Sequence, residues 1–540
     1  MIIKSNLIDV VSKEMFPAKI LIENNIIVSI KKINESLETY ILPGFIDAHV
    51  HIESSMLVPT EFARIAVTHG TVGTISDPHE IANVLGVAGV DYMIDNAKQV
   101  PFYFYFGAPS CVPATSFETA GATINSNDID LLLARPEIIY LSEMMNYPGV
   151  IYKDEEIKKK LDYAKKYGKP IDGHAPGLMG DDMKTYFDAG ISTDHECFKY
   201  EEALEKLKHG VKILIREGSA AKNFEILIPL LKEFPEQIMF CCDDKHPDNL
   251  IEAHINQHVK RALALGHNLY DVLRAATYNV VKHYNLPIGL LQVGDVADFI
   301  MIDNLNDFNI LQTYIRGSLV SENGISYIPK LNAPIVNNFN CSLKTPADFK
   351  LKVNGSKIRV IEIIDGQLIT NELHSETLAV NGYAESNITT DVLKIAVVNR
   401  YSNTPIAIAF IKNVGLQQGA IASSVAHDCH NIVVVGVSDD DICKAVNLII
   451  NAKGGISVVG KNEELVLPLP IAGIMTNQPA EDVALAYTKL DKRAKELGSH
   501  LKAPYMSLSF MALLVIPKLK LSDRGLFDGK SFKFTDVFMS

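Results

Sequence analysis

The chain of 540 residues is 47% hydrophobic and 21% charged, a composition typical of a globular protein with several domains and ample core. Its 64 acidic residues outnumber its 51 basic ones, and the net charge of −13 argues against a nucleic-acid polymer or a membrane surface as partner. Seven cysteines without paired spacing favour a reducing cytoplasm, and the strongest apolar run, residues 510–516, is too short to cross a bilayer.

The two flanks of the central region both show the pattern of short strands. Residues 1–42 contain several short apolar runs, which indicate strands that cannot enclose a core by themselves. A second set appears far downstream, where the turn Gly294-Asp295 precedes the apolar run 299–302. We expect the two sets to form one small β-sandwich, built from residues 1–42 together with residues 286–334.

Between these flanks, eight apolar runs alternate with helical patterns, which is typical of a parallel α/β domain. The runs are residues 41–51, 71–77, 102–110, 138–144, 170–174, 191–196, 212–218 and 238–244. Eight such strands over residues 43–285 predict a (β/α)₈ barrel, a fold that carries its functional groups at the carboxyl ends of the strands.

Side chains able to bind metal stand at the ends of five of these runs. In an extended strand, residues i and i+2 point to the same side, so His49 and His51 project together. Each residue alone could be a core histidine or a helix cap, but their shared position in the barrel predicts a metal site. The candidate ligands are His49, His51, Glu143, His174, His195 and Asp243.

The composition of this ligand set restricts the metal and the chemistry. Four imidazoles and two carboxylates, without a thiolate, suit Zn²⁺, Fe²⁺ or Mn²⁺ and disfavour a cysteine-rich structural zinc site. Six protein ligands exceed the need of one tetrahedral ion, so two divalent ions with a shared ligand are expected. By themselves these residues predict metal-dependent hydrolysis at an sp² carbon and leave the substrate open.

A change of composition near residue 335 marks a third region. Residues 332–340 are rich in asparagine and include a proline, as in a linker, and residues 335–540 mix strand and helix patterns. We therefore expect a C-terminal α+β domain. Within it, His427, Asp428 and His430 precede an apolar run. Two imidazoles beside a carboxylate could bind metal or reach over the barrel mouth; the alternative is a hydrogen-bonded turn.

Several phrases of the sequence resemble known families. Residues 43–55, Pro-Gly-Phe-Ile-Asp-Ala-His-Val-His-Ile-Glu-Ser-Ser, resemble the first metal-binding strand of the amidohydrolase superfamily. Three further segments resemble sequences of the bacterial and archaeal adenine deaminase family. They are Asp-Pro-His-Glu-Ile-Ala-Asn at 77–83, Glu-Met-Met-Asn-Tyr-Pro-Gly-Val at 143–150 and Arg-Glu-Gly-Ser-Ala-Ala-Lys-Asn at 216–223. This resemblance covers nearly the whole chain and implies conversion of adenine to hypoxanthine and ammonia.

The resemblance also implies a role for each ligand. His49, His51 and Asp243 would hold one ion, and His174 and His195 the other. Many binuclear amidohydrolases bridge their ions with a carbamylated lysine on strand four, but residues 140–145 contain no lysine, so Glu143 would bridge. Asp243 would accept a proton from the nucleophilic water and return it toward the leaving group. The expected cofactor is a binuclear divalent metal, with Mn²⁺ or Fe²⁺ preferred over Zn²⁺.

Six further residues are candidates for binding the purine base. Four lie at the ends of strands two and seven and two lie in the C-terminal domain, and capping or loop hydrogen bonds are the alternative role for each. They are His79, Glu80, Glu217, Ser219, His427 and His430.

Two rival functions stay open on the sequence alone. An amidohydrolase of the dihydroorotase or hydantoinase type would open a cyclic amide, although the absence of a strand-four lysine counts against it. A non-catalytic scaffold would have no need for a complete ligand set. We expect a cytoplasmic enzyme that forms a homodimer or a higher homo-oligomer.

Overall fold

Eight parallel strands form a closed barrel in the computed structural model, which describes residues 1–461 and 463–539. The first five pair in order as one sheet and the last three as another, and the bridge between Val50 and Asp243 joins the last strand to the first. Barrel strands 1 to 8 are Phe45–Val50, Thr71–Ser76, Tyr103–Ala108, Ile138–Met144, Ile171–Gly173, Thr193–Asp194, Lys212–Arg216 and Ile238–Cys241. The predicted (β/α)₈ fold is confirmed.

The predicted first strand, residues 41–51, is two strands in two different sheets. Tyr40–Pro43 belongs to the flanking sheet, while Phe45–Val50 opens the barrel. Gly44 separates them, and a β-carbon at this position would lie 2.3 Å from Cγ1 of Val72. Only glycine lets the chain pass so close to strand 2. The prediction of one continuous strand is wrong because apolar character continues through this turn.

Helices connect the strands and surround the barrel, as the alternating pattern predicts. Helix Glu155–Lys166 shows the local causes: Asp154 caps its amino end, glutamates fill the first turn and lysines the last. The barrel helices are Pro59–Ala66, His79–Leu85, Val87–Ala97, Ser126–Leu133, Tyr147–Ile151, Glu155–Lys166, Gly180–Asp188, Tyr200–Lys208, Phe224–Leu227, Pro247–Glu252, Ile255–Ala264, Leu269–Ala275 and Tyr278–Tyr284.

Both flanks contribute strands to one small β unit, which has an apolar core of its own around Ile20, Ile27 and Phe299. Its eight strands lie in the order Ile325–Ser326, Ser318–Glu322, Ile310–Ile315, Phe299–Ile302, Tyr40–Pro43, Ile2–Asp9, Glu14–Glu23 and Ile26–Lys32. The neighbouring pair Tyr40–Pro43 and Phe299–Ile302 is antiparallel and joins the two flanks. The domain boundaries at residues 42, 285 and 334 stay predictions.

The C-terminal region is built on a nine-stranded sheet. Along it lie Thr370–Glu376, Lys357–Ile363, Ala407–Lys412, Val392–Val398, Ile432–Gly436, Ala420–Ser423, Gly455–Val459 and Glu464–Pro468, with Phe538–Met539 beside Lys357–Ile363. Short strands Leu351–Lys352, Ala379–Val380, Tyr383–Ala384, Leu519–Ser522, Gly525–Asp528 and Lys533–Phe534 form two smaller sheets. The main helices are Asp439–Ala452, Ala480–Glu496 and Pro504–Ser509.

One apolar core runs from the barrel into the C-terminal sheet, from residues such as Phe106 to residues such as Ile421. Backbone bonds add to this packing, because the N–H of Thr476 donates to the carbonyl of Met56 over 2.9 Å. The C-terminal region is therefore fixed against the barrel. Across residues 1–461 and 463–539, we find no helix with the length and apolarity to cross a membrane.

Candidate active site

The six predicted metal ligands converge at the carboxyl ends of the barrel strands. His49 and His51 stand side by side, with their Nε2 atoms 3.2 Å apart. Oδ1 of Asp243 lies 3.5 Å from Nε2 of His49 and 3.2 Å from Nε2 of His51. These three ligand atoms can hold one cation.

Glu143 lies between this group and the remaining two imidazoles. Its Oε1 is 3.2 Å from Nε2 of His51, while its Oε2 is 2.6 Å from Nδ1 of His174 and 3.2 Å from Nε2 of His195. A carboxylate with one oxygen directed to each side has the placement of a ligand shared by two cations.

Both carboxylates of this cluster are held in the ionised form that a metal ligand needs. Burial alone would raise the pKa of Glu143, but the imidazoles of His174 and His195 hold that pKa well below its ordinary value. Burial opposes ionisation of Asp243 as well, and the guanidinium of Arg216 keeps its pKa well below the usual range. The donor types and their charge fit divalent cations.

Neighbouring groups orient the first-strand ligands. Nδ1 of His51 donates to the carbonyl of Asp77 over 3.2 Å, which leaves Nε2 free to bind metal. The buried carboxylate of Asp47 accepts bonds from the backbone N–H groups of His49 and Cys242, and so joins strand 1 to strand 8. Asp243 itself has a φ of 55°, an unusual value for a residue with a side chain, and its N–H bonds to the carbonyl of His49.

Arg216 is a site residue that the sequence analysis did not identify. It lies at the end of strand 7, is buried, and forms ion pairs with both Glu196 and Asp243. It contacts Oδ2 of Asp243, so Oδ1 is the oxygen that faces the imidazoles. Its position at a strand end is the signal in the sequence that points to it, but arginine is not a metal ligand.

A buried lysine positions the segments that carry His174 and His195. Nζ of Lys206 donates to the carbonyl of Ala175, to Asp194 and to Glu202 over 2.6–2.7 Å. The side chain of Lys206 is completely buried, and all three of its donor positions are used by these acceptors. Lys206 therefore fixes the ends of strands 5 and 6 from below the site.

We expect Lys206→Met to lower the free energy of unfolding by about 3–5 kcal/mol, because it leaves two buried carboxylates without their cation. Urea denaturation followed by circular dichroism measures the change. Lys184→Met is the matched control, since Lys184 is half exposed and pairs with Asp181 on the surface. Its change should stay within about 0.5 kcal/mol. A Lys206→Met protein as stable as this control would contradict the positioning role.

The predicted purine-binding residues divide into two groups. His79, Glu80, His427 and His430 lie at the site: Nδ1 of His79 is 2.9 Å from Asp77, and Glu80 accepts bonds from both His427 and His430. The hypothesis that the C-terminal histidines reach the barrel mouth agrees with these contacts.

Glu217 and Ser219 lie away from the ligand cluster. The carboxylate of Glu217 pairs with Arg261 over 2.7 Å, and the hydroxyl of Ser219 donates to Asn249 over 2.7 Å. Both residues follow strand 7, but their side chains point away from the imidazoles toward neighbouring helices. Their position at the end of a strand therefore predicts the region in which they lie, but not the direction in which their side chains point.

Five residues from the C-terminal region cover the ligand cluster, and we call them the roof: Leu368, His427, Asp428, Phe510 and Leu513. The space between the roof and the ligands is about 20 Å³, which is enough to hold one water and far smaller than a purine. A larger cavity of about 590 Å³ adjoins it and shares Leu368 and Glu196 as walls.

Comparison with known proteins identifies the family. The amidohydrolase family matches residues 40–320, and the adenine deaminase C-terminal domain matches residues 367–533. A protein named adenine deaminase from Sulfurovum sp. (strain NBC37-1) is 54% identical over 534 residues, covering 99% of each chain. The chain belongs to the adenine deaminase family of the amidohydrolases. Adenine deaminases of Salinibacter ruber and Methanosarcina mazei are 53% and 50% identical and cover at least 98% of each chain.

The two family matches assign the two sides of the site differently. All six predicted metal ligands fall within residues 40–320, the part matched by the amidohydrolase family, and this family binds divalent metal. All five roof residues fall within residues 367–533, the part matched by the adenine deaminase domain. The predicted ligands and the roof thus lie in the parts of the chain that two different family models match.

Proposed function

We propose that this chain hydrolyses adenine to hypoxanthine and ammonia, a reaction of purine salvage. The observation that carries the proposal is the full-length identity of 54% to an adenine deaminase, in a chain that brings all six ligands together. Water adds at C6 of the purine, the C6–N bond breaks, and the amino group leaves as ammonia.

Each group of residues at the site has a separate role in this reaction. The six ligands would hold divalent ions, and such ions would supply a nucleophile at neutral pH by lowering the pKa of water from about 15.7 to about 7. Oδ1 of Asp243 accepts the proton of the attacking water and returns it to the leaving amino group. Arg216 holds the other oxygen of Asp243 and keeps Oδ1 directed at the cluster. The roof limits access of bulk water.

We propose two metal ions per chain, Mn²⁺ or Fe²⁺ in preference to Zn²⁺, with Glu143 shared between them. The support is the split contact of Glu143, whose two oxygens face different imidazoles. The same residue argues against a ring-opening amidohydrolase of the dihydroorotase type, in which a carbamylated lysine would be expected at strand four. Self-association and a cytoplasmic location stay predictions from the sequence.

The proposed function is tested by measuring ammonia release from adenine, adenosine, guanine and cytosine with added Mn²⁺, Fe²⁺ or Zn²⁺. We expect ammonia from adenine, in equal amount to the hypoxanthine formed. Ring opening of dihydroorotate, followed by chromatography, is measured in parallel. Ring opening without ammonia from adenine would replace the proposal with the cyclic-amide alternative.

His430 provides a test of whether the C-terminal region acts in catalysis. Its Nε2 contacts Glu80 at 2.5 Å and its Nδ1 accepts the N–H of Ala426, so it ties the loop that carries His427 to the barrel. We expect His430→Ala to raise KM for adenine about 10-fold, the value of one hydrogen bond to a charged group, with little change in bound metal. His374→Ala, an exposed histidine of the same region, should leave KM unchanged. An unaltered KM in a folded His430→Ala protein would show that the roof does not contribute to substrate binding.

A further inference from the structure

Two polar atoms of the roof lack a hydrogen-bond partner within the described parts of the chain. They are Nε2 of His427 and Oδ2 of Asp428, which belong to consecutive residues that are only 3% and 2% exposed. Both residues line the small cavity above the ligand cluster. A buried polar atom without a partner is costly, so such atoms are rare unless a ligand or water satisfies them.

The two atoms differ in hydrogen-bonding character. Nδ1 of His427 is bonded to the carboxylate of Glu80, so Nδ1 carries a proton. In the charged form of the imidazole Nε2 carries a proton as well, and Nε2 is then a donor. Burial alone would lower the pKa of His427, but Glu80 outweighs it and raises that pKa to about 9. Asp428 is an acceptor through Oδ2, while its Oδ1 lies 3.8 Å from Nε2 of His79. The roof therefore presents one donor beside one acceptor.

The two residues that carry these atoms line the cavity opposite the predicted metal ligands. Nε2 of His427 is 3.8 Å from Asp244, the neighbour of the catalytic Asp243, and Asp428 approaches His79, which lies 3.5 Å from Glu143. Glu80 supports His427 and His430 together, so the position of the loop is fixed from the barrel side. A small flat molecule between the ligands and the roof would contact the metal centre at one edge and His427 and Asp428 at the other.

The edge of adenine opposite C6 has the complementary pattern. When C6 lies at the metal centre, the edge that carries N3 and N9 points away from it. N3 is an acceptor, and in the free base N9–H is a donor, whereas in a nucleoside N9 carries the sugar. The chemistry of the roof matches the free base and excludes a substituted N9.

We propose that His427 donates to N3 and Asp428 accepts from N9–H, so that the C-terminal region selects purine bases whose N9 is unsubstituted. This inference rests on the proposed function and assigns its specificity to two residues outside the barrel. Leu368, Phe510 and Leu513 supply apolar contact around the base. Because the enclosed space is smaller than a purine, the apolar side chains of the roof change rotamer when the base enters, while the backbone contacts to the barrel stay in place.

The inference is tested with a substrate pair that differs only at N9. We expect the wild-type protein to use 9-methyladenine with a kcat/KM at least about 10³-fold lower than that for adenine, as in sites built around a hydrogen bond to the substrate. Asp428→Ala should lower kcat/KM for adenine about 10- to 150-fold, the range for one bond to a charged group, and leave the 9-methyladenine value nearly unchanged. The ratio of kcat/KM for adenine to kcat/KM for 9-methyladenine then falls by the same factor.

A second variant of the same residue serves as the control. Asp428→Asn retains the size of the side chain and a neutral acceptor, so its ratio of kcat/KM for the two substrates should fall between those of the wild type and Asp428→Ala. If the alanine variant does not fold, Asp428→Asn provides the test. An equal loss on both substrates, or full adenine activity in either folded variant, would overturn the assignment.

Binding without turnover separates this inference from the proposed function. 6-Methylpurine and 6,9-dimethylpurine have no leaving group at C6, and calorimetry measures their affinities directly. We expect the wild type to bind the first at least about 10-fold more tightly, and Asp428→Ala to lose this preference. Equal binding of both compounds by the wild type would reject the N9 contact. A preference for 6-methylpurine in a protein that releases no ammonia from adenine would support the contact and reject the deaminase.

Discussion

Asp243→Asn is expected to lower kcat for adenine by at least about 10²-fold, the scale for loss of a general acid–base group. Asparagine keeps the shape of the side chain and one oxygen near His49 and His51, but it cannot take up the proton of the attacking water. Arg216 would lose an anionic partner, yet it retains Glu196. Steady-state kinetics with adenine measures the effect.

The control for this variant separates proton transfer from folding and metal binding. Glu225→Gln makes the same chemical change at an exposed carboxylate on a barrel helix and should leave kcat unaltered. Circular dichroism and metal analysis should show that Asp243→Asn is folded and retains most of its metal. Near wild-type turnover in the loaded Asp243→Asn protein would remove Asp243 from the mechanism.

Glu143→Gln is expected to reduce activity by at least about 10²-fold and to lower the metal content from about two ions to about one. An amide oxygen carries no net charge and its nitrogen binds no cation, so the shared ligand is lost. The imidazoles of His174 and His195 would also lose the carboxylate that keeps them in place. Metal analysis of the purified variant gives the ion count, and kinetics gives the loss of activity.

Glu143→Lys distinguishes a bridging role from general damage to the site. A lysine at this position can react with carbon dioxide to form a carbamate, which restores two oxygens at the end of the side chain. We expect added bicarbonate to recover part of the activity of this variant. Glu143→Met has similar length and cannot form a carbamate, so bicarbonate should not change its activity. Equal responses of the two variants would contradict the bridging role.

The barrel and its ligands could be predicted because they follow simple periodic rules. His49 and His51 point the same way because they are two residues apart in a strand, and parallel strands deliver their carboxyl ends to one edge. Helix Asp439–Ala452 has equally local signals, with Ser438 as its cap and three aspartates in its first turn. These features depend on residues close together in the sequence.

The roof and the supporting ion pairs could not be predicted in the same way. Leu368, Phe510 and Leu513 come from distant segments and have the same apolar character as any core residue, so nothing local marks them. Lys206 lies in a helix whose charged pattern suggests exposure, yet its side chain is buried beneath strands 5 and 6. Glu217 has a strand-end position, but its partner Arg261 draws it away from the site. Contacts between distant segments decide all three cases.

The most direct test of the account is a metal titration of the chelator-treated protein, with bound ions counted while hypoxanthine formation from adenine is recorded. Five ligands arranged on both sides of Glu143 predict that activity rises with added Mn²⁺ and reaches its plateau at about two ions per chain. Full activity at one ion per chain, or no hypoxanthine at any metal content, would contradict it.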